Sequence, residues 1–253
     1  MTAARRSAAD PEVAWATIKQ SERRRLLAPT LLLLTFATGV IDALSYLAIG
    51  SVFTANMTGN LVLIGFAVGG QPGFSAPRTI VSLLAFMLGA LLAGRLAKRW
   101  HHRPFLWMQR VTRMELGFLL VAALIATGIH TGTTTPDSPL RYLAVIVLGT
   151  AMGVRNATVR RLGFRDLPTT VATSTISDLA SESTLGGGER RNQLRRVLAI
   201  ACMLLGAALG AALVREASVL AAFALAVAAV LAALGHQAWI GHRHPGPAHA
   251  VQP

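Results

Sequence analysis

Long apolar runs broken by short polar or basic stretches make up most of this chain. The runs fall at Leu26 to Ile49, Val52 to Val68, Thr79 to Leu96, Val111 to Ile129, Leu140 to Thr158, Val197 to Val214 and Ala217 to Leu234. Most approach the roughly 20 residues that cross a bilayer as a helix. Val52 to Val68 stands apart. Gly50-Ser51 separates it from the first run almost without a loop, and Gly69-Gly-Gln-Pro-Gly73 ends it. At about 1.5 Å per residue it reaches about 25 Å, short of the roughly 30 Å hydrocarbon core. A second irregular element is expected at Thr169 to Ser183, a polar helix with Asp166 placed to cap it and Pro168 in its first turn.

The basic residues decide how these runs are threaded. If Val52 to Val68 crossed the membrane, the loop holding Arg95, Lys98, Arg99, Arg103, Arg110 and Arg113 would lie outside, against the cytoplasmic bias of Lys and Arg. If the segment instead dips in and returns, 21 of the 24 Lys and Arg residues fall on one side, leaving Arg78, Arg141 and Arg215 on the other. The second threading is the expectation. It gives an all-α membrane protein with six transmembrane helices plus two re-entrant or broken helical segments, one after the first span and one after the fourth. Each half then holds three spans, an odd number, so the halves are expected to be inverted repeats. The resulting division is a basic cytoplasmic tail at 1–25, a first membrane repeat at 26–130, a second at 139–234 and a flexible tail at 235–253.

Composition agrees with this class. Of 253 residues, 53% are hydrophobic and 14% charged, with mean hydropathy +0.52; soluble domains carry about a quarter charged residues. The formal charge of +13 is assigned to membrane orientation, and no nucleic-acid partner is expected. The apolar run after Leu26 is too long for the core of a cleaved signal peptide. Cys202 lies in an apolar run and is read as a buried packing thiol. The histidines of the C-terminal tail, His236, His242, His244 and His249, are read as solvated rather than as metal ligands, and no cofactor is expected.

The first half has a polar centre. Asp42 lies deep in the first run, and Thr54, Asn56, Thr58 and Asn60 follow the break. An acid inside a membrane span is costly and marks a functional candidate by default. The second half carries a weaker copy: Gly39-Val-Ile-Asp42-Ala43 matches Gly153-Val-Arg-Asn156-Ala157, and Thr54 to Leu61 matches Thr169 to Ile176 through Thr173 and Thr175. Gly89-Ala90-x-x-Ala93 matches Gly206-Ala207-x-x-Gly210 in the same alignment, small residues that let helices approach closely.

Phe53-Thr-Ala-Asn-Met-Thr-Gly-Asn60 with Asp42-Ala43, Gly153-Val-Arg-Asn-Ala157 and Leu167-Pro-Thr-Thr170 resembles the YoaK family of bacterial multi-pass membrane proteins, over roughly residues 28 to 235. The resemblance implies a membrane location and topology; the family's function is unknown. The second half reads Thr173-Ser174 where the family pattern implies Thr-Gly.

Inverted repeats with helices interrupted at the midplane are a recurring design of secondary transporters. The expected function is therefore a small secondary transporter or permease of the cytoplasmic (inner) membrane, both termini cytoplasmic. Its pathway for an unknown small solute or ion would be lined by Asp42, Thr54, Asn56, Thr58, Asn60, Asn156, Thr173 and Thr175. Asp42 would carry a coupling proton or coordinate a cation, within reach of Asn156 and Thr173. The alternative is a non-transporting scaffold or regulatory protein whose polar centre only holds the two halves together. Asp178 is read as structural, and so is Glu115, paired with Arg110 or Arg113. Neither a metal pattern within the spans, nor a phosphate loop, nor a nucleophile with its base is present, so no enzyme is expected. The partners are the lipid bilayer and that solute, and a homo-oligomer is compatible with this composition.

Overall fold

The computed structural model describes residues 20–100, 103–131, 138–163, 176–177 and 193–243. Among these every regular element is helical. α1 spans Gln20–Leu44 and runs on as a π-helical turn, Ser45–Gly50; α2 is Met57–Val68, α3 Ala76–Trp100, α4 Pro104–Thr131, α5 Pro139–Arg161, α6 Gln193–Glu216 and α7 Val219–Arg243. Six of these, all but α2, are long and apolar enough to cross a bilayer. Leu88, Leu91, Leu124, Leu204 and Leu205 face outward, as lipid-exposed side chains do.

Each long helix outruns its apolar run at one or both ends. Long basic side chains suit such ends, since the stem can lie on apolar surface while the head stays in water; Arg196 near the start of α6 is buried instead. The largest difference is at the C-terminus, where the tail expected from Gly235 is helical as far as Arg243. Packing explains it. His236 Nδ1 lies 2.9 Å from Thr30 Oγ1 on α1, Gln237 Nε2 donates to Thr112 Oγ1 on α4 at 3.1 Å, and Ile240 is buried. His236 thus belongs to the bundle, not to a solvated tail. Cys202, expected buried, is half-buried on α6.

The expected segment Val52 to Val68 is helical only from Met57; residues 51–56 are irregular. α2 buries Asn60 and Leu63, exposes Leu61, Val62, Phe66 and Val68, and lies against α3. Of the expected Thr169 to Ser183 helix, only residues 176–177 are described, in helical conformation.

α1 and α5 are the most enclosed of the long helices. α1 packs on α6 and α7, α5 on α3 and α4, and α4 meets α7. Glycines set the two closest crossings. A Cβ on Gly39 would lie 2.2 Å from the Met203 carbonyl oxygen, and one on Gly206 would lie 2.1 Å from that of Phe36. On the other crossing, Gly89 would meet the Thr150 oxygen at 2.1 Å and Gly153 the Phe86 oxygen at 2.1 Å. In each case a glycine on either helix receives the carbonyl three residues before its partner glycine. Backbones touch there because no side chain intervenes, which is how helices associate where burial in lipid supplies no hydrophobic drive.

Candidate functional site

The centre of the site is where α1 stops being an α-helix. Ser45 Oγ bonds the Asp42 carbonyl at 3.2 Å, the backbone widens into the π turn, and Ser51 adopts a left-handed conformation, φ 53° and ψ 37°. Such an interruption strands backbone groups, and at membrane depth each needs a partner. The polar side chains supply them one by one. Arg141, in the first turn of α5, donates through Nη1 to the carbonyls of Ile49 at 2.6 Å and Ala48 at 3.3 Å. A cation suits this spot, since unpaired carbonyls make a helix C-terminus negative.

Asp42 Oδ1 accepts the N–H groups of Thr54 at 3.0 Å and Ala55 at 2.8 Å. Asn60 brackets Phe53: its Oδ1 accepts the Phe53 N–H at 2.9 Å, and its Nδ2 donates to the Phe53 carbonyl at 2.7 Å. Ser82 on α3 donates to the same carbonyl at 2.6 Å. Asn56 caps α2, its Oδ1 accepting from Gly59 N at 3.1 Å. The Phe53 ring stacks on Tyr46 with centroids 4.9 Å apart. It also occupies the place of a residue-59 side chain, since a Cβ there would lie 2.9 Å from it. Gly59 is therefore a space-making residue.

Two oxygens at the break stay unsatisfied. Asp42 Oδ2 and Thr54 Oγ1 are buried and have no hydrogen-bond partner, although the Thr54 N–H holds the other oxygen of the same carboxyl. The two residues are 5% and 0% exposed.

Of the eight expected pathway residues, Asp42, Thr54, Asn56 and Asn60 do converge on the break. Thr58 does not: it is exposed, because the chain has entered α2 by then and turns it away from Asn60. Asn156 is half-buried on α5; the bonds seen at Asp42 come from Thr54 and Ala55, not from Asn156. Thr173 and Thr175, like Asp178, lie outside the described residues.

Glu115 requires a correction. Its partner is Arg155 on α5, not Arg110 or Arg113, with Arg155 Nη1 2.5 Å from Glu115 Oε1. Arg155 is wholly buried and Glu115 is 1% exposed. The guanidinium also donates to the Leu34 carbonyl at 3.2 Å and to Thr38 Oγ1 on α1. Arg110 instead stacks over Trp100 at 3.5 Å, while Arg113 Nη2 approaches Gln109 at 3.5 Å. Thr38 precedes Asp42 by one helical turn, a spacing that puts both on one face, so the Arg155 charge acts on Asp42. The signal for this pair was in the sequence. Arg155 falls inside the run Leu140 to Thr158 and Glu115 inside Val111 to Ile129, and opposite charges within spans tend to find one another.

Comparison with known proteins adds a family. A family model described as "Protein of unknown function (DUF1275)" matches residues 30–235. The UPF0700 transmembrane protein YoaK of Bacillus subtilis (strain 168) is 29% identical over 153 residues, covering 59% of this chain and 64% of that protein. The match thus spans just under two thirds of that relative's length. No solved structure matches.

Proposed function

This chain belongs to the DUF1275 family of proteins of unknown function, and from that premise we propose that it is a small secondary transporter or permease with its site at Asp42. One observation carries the reading: Asp42 Oδ2 and Thr54 Oγ1 are both buried at a helix interruption, and neither has a hydrogen-bond partner. A proton on the carboxyl would neutralise Asp42 there, and a small cation entering the interruption would find two protein oxygens without donors. Secondary transporters bind coupling ions at such interruptions. Arg155, held by Glu115 and Thr38, supplies a fixed positive charge one turn toward the start of α1, against which the charge state of Asp42 is set.

In this reading the two halves are inverted repeats in the cytoplasmic membrane, both termini inside, with α2 re-entrant and Thr169 to Ser183 its counterpart. The reciprocal glycine contacts support it: the spacing from Phe36 to Thr150 equals that from Gly39 to Gly153, and the spacing from Phe86 to Met203 equals that from Gly89 to Gly206. The 21-to-3 division of basic residues supports the orientation. With Cys202 removed, a cysteine at position 74 should react with an impermeant thiol reagent from outside and one at position 103 should not; the reverse pattern would overturn the threading.

The decisive variant is Asp42→Asn in liposomes. It keeps the shape and still accepts from Thr54 and Ala55 through its amide oxygen, but it cannot release a proton. It should fold and insert while losing ion-coupled flux. Normal flux with unchanged pH dependence would sink the coupling role.

A specific observation favours the second reading, a scaffold or regulatory protein. Asp42, Asn56, Asn60 and Ser82 each satisfy a backbone group of the break. That protein needs no water at Thr54. Thr54→Cys should therefore react with a soluble thiol reagent in a transporter and stay silent in a scaffold.

A further inference from the structure

Among the described residues the buried charged side chains are Asp42, Glu115, Arg155 and Arg196. Arg196 stands apart: it precedes Gly206, which meets Phe36, by ten residues on α6, about 15 Å along the helix. The other three are linked. Arg155 from α5 binds Glu115 from α4 and, on α1, the Leu34 carbonyl and Thr38 Oγ1, one turn before Asp42. We propose that Asp42 and Glu115 share a single proton, held by whichever acid Arg155 does not face, so that Glu115 is a second proton-carrying residue. The direction of proton movement rests on the transporter reading above; the sharing does not.

The charges of this group balance in only one way. An arginine keeps its proton in a protein, so Arg155 contributes one positive charge. With both acids ionised the group carries a net negative charge out of water, and with both protonated a net positive one. Either is costly when buried. One proton on the two acids gives neutrality. In the structure Arg155 Nη1 lies 2.5 Å from Glu115 Oε1, an ion pair, and the proton therefore falls to Asp42. Asp42 Oδ1 accepts from Thr54 and Ala55, which leaves Oδ2 to carry it. The remaining titratable groups on the helices packed against α4 do not enter this balance. His236 of α7 lies at Thr30, and the other charges of α3, α5 and α7 stand near the ends of those helices.

The second arrangement moves the guanidinium from Thr38 to Asp42, about 6 Å along α1. Arg155 Nε, Glu115 Oε2 and Asp42 Oδ2 all lack hydrogen-bond partners, so none of the three groups is fully committed where it stands. Met152 Sδ, 3.1 Å from Arg155 Nη2, belongs to an unbranched side chain that repacks readily. Asp42 then releases its proton through the break and meets the guanidinium as a carboxylate. Glu115, its counter-charge gone, takes up a proton from the cytoplasmic side. One O–H bond breaks at Asp42 and one forms at Glu115; Arg155 transfers no proton. Thr112 lies three residues before Glu115 on the same face, and Gln237 of α7 donates to it. In the proposed orientation these are polar side chains on the cytoplasmic side of Glu115.

The experiment counts protons in the full-length protein, reconstituted in liposomes at neutral pH, by infrared spectroscopy with isotopically labelled aspartate and glutamate. Solvated carboxyl groups are ionised at that pH, so the C=O band of a protonated carboxyl reports the buried acids. Wild-type protein should show one such band, from aspartate, and Asp42→Asn should lack it. Glu115→Gln keeps an acceptor for Arg155 Nη1 but removes the charge; Asp42 should then ionise against Arg155, and the band should be lost. Arg155→Gln removes the positive charge, and both acids should hold a proton, doubling the band. An unchanged band in Glu115→Gln, an undoubled band in Arg155→Gln, a band that survives Asp42→Asn, or two bands or none in wild type would overturn the proposal. If Glu115→Gln or Arg155→Gln elutes as aggregate, the other carries the test, since the two move the band in opposite directions. No flux enters this readout. Normal transport by Asp42→Asn alongside the expected bands would end the coupling role and leave the shared proton standing.

Discussion

α1 and α5 are the two most enclosed helices, and both cross a neighbour through a glycine, Gly39 or Gly153. Beyond that glycine they part. α1 carries an acid three residues on, Asp42, and soon loses its α-helical form; α5 carries Arg155 and Asn156 and stays α-helical to Arg161. The difference shows what each charge is for. Past Asp42 the backbone N–H groups of Thr54 and Ala55 have no carbonyl one turn back to bond, so an acceptor side chain is needed, and the carboxyl provides it. Past Arg155 the N–H groups remain within the helix ladder. The side chain there is available to reach across, and it binds three groups on α1 and α4. An interruption therefore goes with the acid, and an intact helix with the base.

The sharpest way to break this comparison is to remove the base. Arg155→Ala leaves Glu115 buried and unpaired, which should cost about 3–5 kcal/mol, read as a large fall in the thermal midpoint in detergent. Adding Glu115→Leu should recover much of it. If Arg155→Ala were neutral, the ion pair would not hold α1, α4 and α5 together. Next come the glycines. Gly39→Ala and Gly153→Ala should each destabilise by about 1–3 kcal/mol and by similar amounts, whereas Gly65→Ala, with nothing near its would-be Cβ, should be neutral or slightly stabilising. A large inequality between Gly39 and Gly153 would separate the two crossings. Asn60→Ala strands the Phe53 N–H and should cost about 1–3 kcal/mol. Thr58→Ala, on an exposed face, should stay within about 0.5 kcal/mol. Equal effects at 58 and 60 would mean that the break is not organised as described.

The contrast between 58 and 60 also shows where reading the sequence stops. Thr54, Asn56, Thr58 and Asn60 occur at every second position and look like one polar stripe. Alternate residues share a face only in an extended chain. The helix begins at Met57, so residues 58 and 60 point roughly 200° apart. The six spans, the interruption at Gly50-Ser51 and the small-residue contacts are legible because they depend on local composition. Ser82 with Phe53 and Arg141 with Ile49 depend on how each helix is rotated and which neighbour it meets. Nothing in a run of apolar residues encodes that rotation strongly, because lipid accepts any face of an alanine- and leucine-rich helix.

The hydrogen bond from Arg141 to the end of α1 has a consequence for how the chain is made. Donor and acceptor are 93 residues apart for Ala48 and 92 for Ile49. At a synthesis rate of 5–20 residues per second, the end of the first span waits on the order of 5–20 s for its cap. During that interval the Ala48 and Ile49 carbonyls must be held by water, headgroups or the insertion machinery. The break at Asp42 is thus begun with the first span and finished only when α5 has started, and an insertion that lengthens the chain between α4 and α5 would prolong its unfinished state without touching the residues that form it.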